Sequence, residues 1–401
     1  MSGGKHDQPR LAQLGEYPFE RVSKLFAGHT PNPALVHIDA GAGEPRLPLP
    51  SFVAETLNAN LNGFSKYPTT KGSDILRKAI ADWLMRRYGL PHVDAASQVL
   101  TANGTREALF AVAHALVNPE ADEKPYVLMP NPMYQIYLGG AVLAGGIPWF
   151  MPCTPASGFA PELASVPDEV WVRTAFVYVC SPSNPTGWIA GTDYYRELFR
   201  LADRFDFAIV SDECYSEIYL DEPPVGLLQV AHELGRSDFS RCLVMNSLSK
   251  RSALPGMRSG FIAGDAKLIA RFAKLRTYTG PATPIPLQQV AAAAWSDEMH
   301  VQQHLAVYRQ SLAAFYEAYL EKGGEGEPPA GSFFVWLPVP DGEKFALAAY
   351  TQQSVTVLPG AYLAADGDDG VNPGQGFVRA ALVDGPEKAA ELARRLKAVR
   401  V

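Results

Sequence analysis

Short apolar runs recur along the chain, and most are followed by a stretch with helical spacing. They fall at 98–101, 126–129, 175–180, 207–210, 243–245 and 261–264. Runs that are apolar at nearly every position, instead of alternating, predict parallel strands covered by helices on both faces. A further short strand is expected at 36–39. Helices are expected at 20–27, from Ser73 or Asp74 to Tyr88, at 107–113, at 193–202, and over 287–321 with a break near 295–299. Serine or aspartate ahead of an apolar-periodic stretch is a helix start signal. Beyond a polar linker from Gly323-Gly324 to Pro328-Pro329, strands are expected at 332–337, 355–358 and 377–382, followed by a closing helix. The pattern is that of an α/β chain with a smaller α+β part.

At 401 residues the chain exceeds what one ordinary core supports, so two domains are expected. The division read from the pattern is an arm and part of a small domain over 1–45, a large domain over 46–286 and the rest of the small domain over 287–401. Apolar residues make up 47% and charged residues 19%, a globular composition. A formal net charge of −7 argues against a partner held through phosphate contacts, such as nucleic acid, and against an anionic membrane surface. No apolar run approaches a membrane span, and the opening MSGGKHDQPR has no apolar leader core, so a cytoplasmic protein is expected. Cys153, Cys180, Cys214 and Cys242 lack paired metal-ligand spacing and read as reduced thiols, with no metal site.

Several polar residues stand where apolar runs end. Lys250 closes the run Ser247-Leu248-Ser249-Lys250, with Arg258 eight positions on. A desolvated lysine near another cation loses its proton readily and can attack a carbonyl. Two hydroxyls and a guanidinium nearby could hold a phosphate. A solvated Lys-Arg pair in a surface loop suits this stretch equally well. Gly104 and Thr105 lie between a strand and a helix, where free N–H groups form an anion site. Tyr134 opens the next helix and could stack on a flat ring or cover the sheet edge. Asn184 is restrained by flanking prolines at a strand's carboxyl end. Asp212 ends a buried run, where a carboxylate needs a cation or caps a helix. Arg379 interrupts an apolar strand and calls for a carboxylate, from a ligand or from the chain itself. Gly43 leaves room for close approach, and Tyr67 sits in a polar loop before a proline.

The ordered set Gly43-Glu44-Pro45, Tyr67-Pro68, Asn103-Gly104-Thr105-Arg106-Glu107-Ala108, Pro132-Met133-Tyr134, Asn184-Pro185-Thr186-Gly187, Asp212-Glu213-Cys214-Tyr215, Ser247-Leu248-Ser249-Lys250, Arg258-Ser259-Gly260 and Arg379 resembles the class I and II aminotransferases. The resemblance covers nearly the whole chain. It implies fold type I, with a mostly parallel seven-stranded sheet between helices, and pyridoxal 5′-phosphate as cofactor. It also implies amino-acid and 2-oxo-acid substrates and a homodimer with shared active sites.

By the same resemblance Lys250 would bond the cofactor and move the proton. Asp212 would face the ring nitrogen, Asn184 and Tyr215 the ring oxygen, and Tyr134 the ring face. Gly104, Thr105, Arg106, Ser247, Ser249 and Arg258 would lie on the phosphate side, with Tyr67 reaching in from a second subunit. Arg379, Asn184 and the Gly43 backbone would take the substrate carboxylate. Ser259 departs from the apolar residue most relatives carry. Within the family, runs such as 131–137, 211–219, 247–252 and 255–260 are similar to the group acting on N-succinyldiaminopimelate. That similarity implies a second cation for a distal carboxylate, with Arg21, Lys24, Lys66 and Arg276 as candidates. A broad-specificity aminotransferase, or a carbon–sulfur lyase of the same fold, would share the cofactor residues.

Overall fold

The structure is a computed structural model that describes residues 6, 8–321, 326–367 and 370–401. The opening residues 1–5 and 7, and the Gly323-Gly324 part of the expected linker, lie outside the described residues. Twelve strands occur among the described residues: β1 (Ile38–Asp39), β2 (Val99–Ala102), β3 (Tyr126–Asn131), β4 (Ile147–Pro152), β5 (Thr174–Cys180), β6 (Ala208–Asp212), β7 (Cys242–Ser247), β8 (Gly260–Gly264), β9 (Phe334–Pro338), β10 (Val355–Thr356), β11 (Leu358–Pro359) and β12 (Phe377–Ala381). Seven form one sheet in the order β2-β8-β7-β6-β5-β3-β4, parallel except for β8, which runs antiparallel to both neighbours.

The apolar runs explain the layers. In β5, Phe176, Tyr178 and Cys180 point into one core while Val177 and Val179 point into the other. Alternate side chains therefore leave on opposite faces, and both faces are dry, as a parallel sheet between helices requires. Ser73 caps the helix Asp74–Tyr88 by accepting from the Leu76 N–H, and Gly89 ends that helix in a left-handed turn.

The strand expected at 36–39 forms only over its second half. Its residues Ile38–Asp39 pair in parallel with β10 in the smaller lobe. The large sheet also has a strand that none of the expected runs covers, β4, at an edge beside β3. The smaller lobe carries a three-stranded antiparallel sheet, β11-β12-β9, and a core including Leu312, Phe315, Val335, Val378 and Leu392. The expected break near residue 297 is real: one helix spans Ile285–Ser296 and the next Met299–Leu320. Ala291, Ala294 and Trp295 of the first pack in the large-sheet core, so the division expected at 286 and 287 falls inside that helix.

Candidate active site

The carboxyl ends of the parallel strands converge on one pocket, as ligand sites do in open α/β sheets. The cavity is about 380 Å³, and its lining includes Lys250, Asp212, Tyr215, Asn184, Tyr134 and Arg379. Thr105, Arg106, Ser249, Arg258 and Gly43 also border it.

Lys250 sits on the short helix Leu248–Arg251 that immediately follows β7. Its Nζ donates to the Gly43 carbonyl. Burial pulls the ammonium down from its ordinary range to about 8, and Arg379 and Arg258 push the same way. Asp212, the last residue of β6, is 4% exposed. Its Oδ2 accepts from the Tyr137 hydroxyl at 2.7 Å and its Oδ1 from the Cys214 N–H at 3.3 Å. Burial raises its pKa, and these two donors hold it down against that. The next residue, Glu213, points the other way and accepts from the Tyr88 hydroxyl at 2.8 Å. Tyr215 is buried against Phe333 and Phe334.

Arg379 comes from β12 and is 5% exposed. Its Nη1 donates to Asn184 Oδ1 at 2.8 Å and its Nη2 to the Gly41 carbonyl at 2.7 Å, while its Nε has no partner. No carboxylate pairs with it among the described residues. The Phe334 ring lies 4.1 Å from the guanidinium carbon. Burial lowers its pKa to about 10. The internal ion pair left open by the sequence is thus not formed. Gly43 allows a close approach: a Cβ there would lie 2.4 Å from Phe334. Its carbonyl serves Lys250, while that of Gly41 serves Arg379.

On the opposite side, Thr105 begins the helix Thr105–Leu116 and Gly104 precedes it at φ +82°. A Cβ on Gly104 would meet the Arg258 guanidinium at 2.4 Å, so only glycine lets that cation lie against the helix start. Among the described residues Arg258 donates only to backbone carbonyls, those of Pro255 and Asn103. Ser249 borders the pocket, while Ser247 is fully buried behind it, its hydroxyl 2.8 Å from that of Ser249. The Ser259 carbonyl accepts from the Ser247 hydroxyl and the Leu248 N–H, and Ser259 itself is buried and does not border the pocket.

Tyr67 is fully exposed and does not border the pocket of its own chain. The residues expected to hold a distal carboxylate lie elsewhere. Arg276 does not face the site: it is buried and paired with Glu107, and also donates to Asn103 and Pro281. Lys24 pairs with Glu16, and Arg21 lies over the Tyr362 ring beside Glu343. Of the four candidates for the distal cation, none borders the pocket, and Lys66 is exposed. The cation at the mouth is Arg106, whose guanidinium lies over the Tyr17 ring at 5.1 Å. Tyr137 and Tyr17 were not singled out from the sequence. The signal for Tyr137 was its place three residues beyond Tyr134, one helical turn on.

The chain matches the family described as aminotransferase class I and II over residues 37–396. It belongs to that family. It is an α/β enzyme of fold type I, and its cofactor is pyridoxal 5′-phosphate. An LL-diaminopimelate aminotransferase of Moorella thermoacetica is 31% identical over 402 residues, spanning 97% of each chain. A solved aminotransferase from Neisseria meningitidis is 42% identical with a TM-score of 0.92, covering 96% of this chain and 98% of its own. A probable N-succinyldiaminopimelate aminotransferase from Thermus thermophilus, at 24% identity and TM-score 0.82 over 94% of this chain and 99% of its own, shares the fold.

The residues present fit the cofactor. Asp212 is a buried carboxylate with no salt-bridge partner among the described residues, as a protonated ring nitrogen needs. Arg258 likewise lacks an acidic partner and lies against the glycine-opened helix start, which suits a phosphate.

Proposed function

We propose that this aminotransferase acts on N-succinyl-LL-diaminopimelate, with 2-oxoglutarate as amino acceptor, in diaminopimelate and lysine biosynthesis. It works as a homodimer in which Tyr67 reaches the partner's site. The observation that carries the reading is the convergence of Lys250, Asp212 and an acid-free Arg379 on one pocket.

Pyridoxal phosphate supplies an aldehyde that receives the amino group and a ring that takes up the electrons of the broken Cα–H bond. Arg379 and Asn184 grip the substrate α-carboxylate and fix the Cα–H bond in place. Lys250 would hold the cofactor covalently, and its amine, once freed, would take up the α-proton and give it back. Asp212 keeps negative charge at the ring nitrogen. Phe334 and Tyr134 wall the pocket from water.

The distal end of the pocket supports the choice of donor. Apart from Asp212, no acid lines the pocket among the described residues, and Arg106 stands at its mouth. A succinyl carboxylate would meet Arg106, whereas a free distal ammonium would meet cations and no acceptor charge. The unsuccinylated diaminopimelate is the second reading, favoured by the activity named for the Moorella relative.

The test is a half-reaction screen of donors read by the conversion to pyridoxamine phosphate. N-succinyl-LL-diaminopimelate should convert fastest. Faster conversion of LL-diaminopimelate selects the second reading, and pyruvate and ammonia release without an acceptor would point to a lyase. Lys250→Ala should lose the near-visible absorbance of the loaded enzyme and slow transamination by about 10²–10⁴-fold.

A further inference from the structure

Immediately beyond Lys250 lies a buried polar cluster that the chemistry above does not use. Arg251 is 1% exposed, Ser252 0%, His300 5% and His304 7%. The His300 Nε2 lies 2.8 Å from the Ser252 hydroxyl, and its Nδ1 lies 2.5 Å from Asp297 Oδ1. That same Asp297 oxygen accepts the His300 backbone N–H at 3.0 Å. The arrangement has the connectivity of a Ser-His-Asp triad, yet Ser252 has no accessible surface, so no substrate reaches it.

What the cluster joins gives it meaning. Ser252 closes the short helix that carries Lys250, its N–H bonding to the Leu248 carbonyl. Asp297 and His300 stand at the junction where the helix in the large core ends and the Met299–Leu320 helix begins. That second helix contributes Leu312, Phe315 and Tyr316 to the small-lobe core. Arg251 grips the same junction. It donates to the Ala294 and Asp297 carbonyls at 2.7 and 3.2 Å and to Glu298 at 2.8 Å, between the Trp83 and Trp295 rings. Two consecutive residues after the reactive amine therefore clasp a helix–helix junction between the two cores.

We infer that Ser252, His300 and Asp297 are positioning residues: they tie the Lys250 turn to the inter-core junction, so that the amine's placement follows the small lobe. The inference rests on the reading of Lys250 given above. Arg379 and Asn184 sit on other elements, so loosening this clasp moves the amine and leaves the substrate grip intact.

The test uses Ser252→Ala, His300→Phe and the double variant. Loaded with cofactor, each single variant should lose about ten- to hundredfold in kcat per loaded site, the cost of a small misplacement, with KM for the donor within about twofold. The double variant should be no slower than the slower single, because both delete one contact. In the cofactor-free chain, amides over 248–252 should exchange faster in both variants. Unchanged kcat per loaded site, multiplying losses, or unchanged exchange would each overturn the proposal. Should His300→Phe not fold, Asp297→Asn replaces it beside Ser252→Ala, with the same expected and overturning results. Borohydride treatment of the wild-type holoenzyme separates this from the site reading: absence of a cofactor adduct on Lys250 would remove the site reading itself.

Discussion

The Tyr137 hydroxyl donates to Asp212 from a ring stacked on Tyr178, with centroids 4.5 Å apart, so the phenol is held in place on its own side of the bond. A donor of this kind stabilises the charged carboxylate against the cost of burying it. Tyr137→Phe keeps the packing and removes the donor. The Asp212 carboxyl should then take up a proton more readily and hold the cofactor ring less well. A hydrogen bond to a charged group contributes about 1.5–3 kcal/mol, so cofactor affinity should fall about ten- to hundredfold. Titration of the cofactor-free variant, followed by absorbance, checks this.

The amine's depressed pKa gives a pH signature. Lys250 in the cofactor-free chain loses its proton near pH 8, against above 10 for an exposed lysine. Only the neutral amine attacks the aldehyde. The rate of covalent cofactor capture should therefore climb as pH rises toward about 8 and level off above it. Stopped-flow mixing across pH 6.5–10 reads the midpoint, on the order of two units below an ordinary lysine. A midpoint near 10 would place Lys250 in water.

Arg379 and Arg106 should separate by substrate. Truncating a buried, hydrogen-bonded cation costs about 2–5 kcal/mol, so Arg379→Ala should raise KM at least about thirtyfold for every amino-acid donor. Arg106→Ala should raise KM for glutamate and other donors with a distal carboxylate while leaving alanine nearly unaffected. Steady-state assays with both donors decide it. An equal effect of Arg106→Ala on alanine would place its role on the cofactor side.

Arg276→Ala tests the placement of that residue outside the site. It removes a buried guanidinium and leaves a partly exposed Glu107 unpaired, at a cost of about 1–3 kcal/mol. Stability should fall by that amount in chemical denaturation. The KM for dicarboxylate donors, measured on the folded fraction, should change little.

Much of this architecture could be read from the chain. The continuous apolar runs that became β5, β6 and β7 announce buried parallel strands, and the polar residues at their ends are those that meet in the pocket. The missing seventh strand has a physical cause. β4 contains Pro148 and Pro152, and proline argues against a strand unless it lies at an edge, where this one lies. Arg276 stays among four open candidates in the sequence because its partner Glu107 is 169 positions away, and nothing in either neighbourhood announces the pair. The Ser252–His300 contact, 48 positions apart, was hidden for the same reason.

The lack of an acidic partner for Arg379 has a consequence for handling the enzyme. A guanidinium sealed from water and bonded only to an amide and a carbonyl keeps its full positive field inside the cleft. Small buffer anions such as acetate or formate will be drawn to it as amino acids are. Apparent Michaelis constants will therefore drift with the choice of salt before any residue is changed.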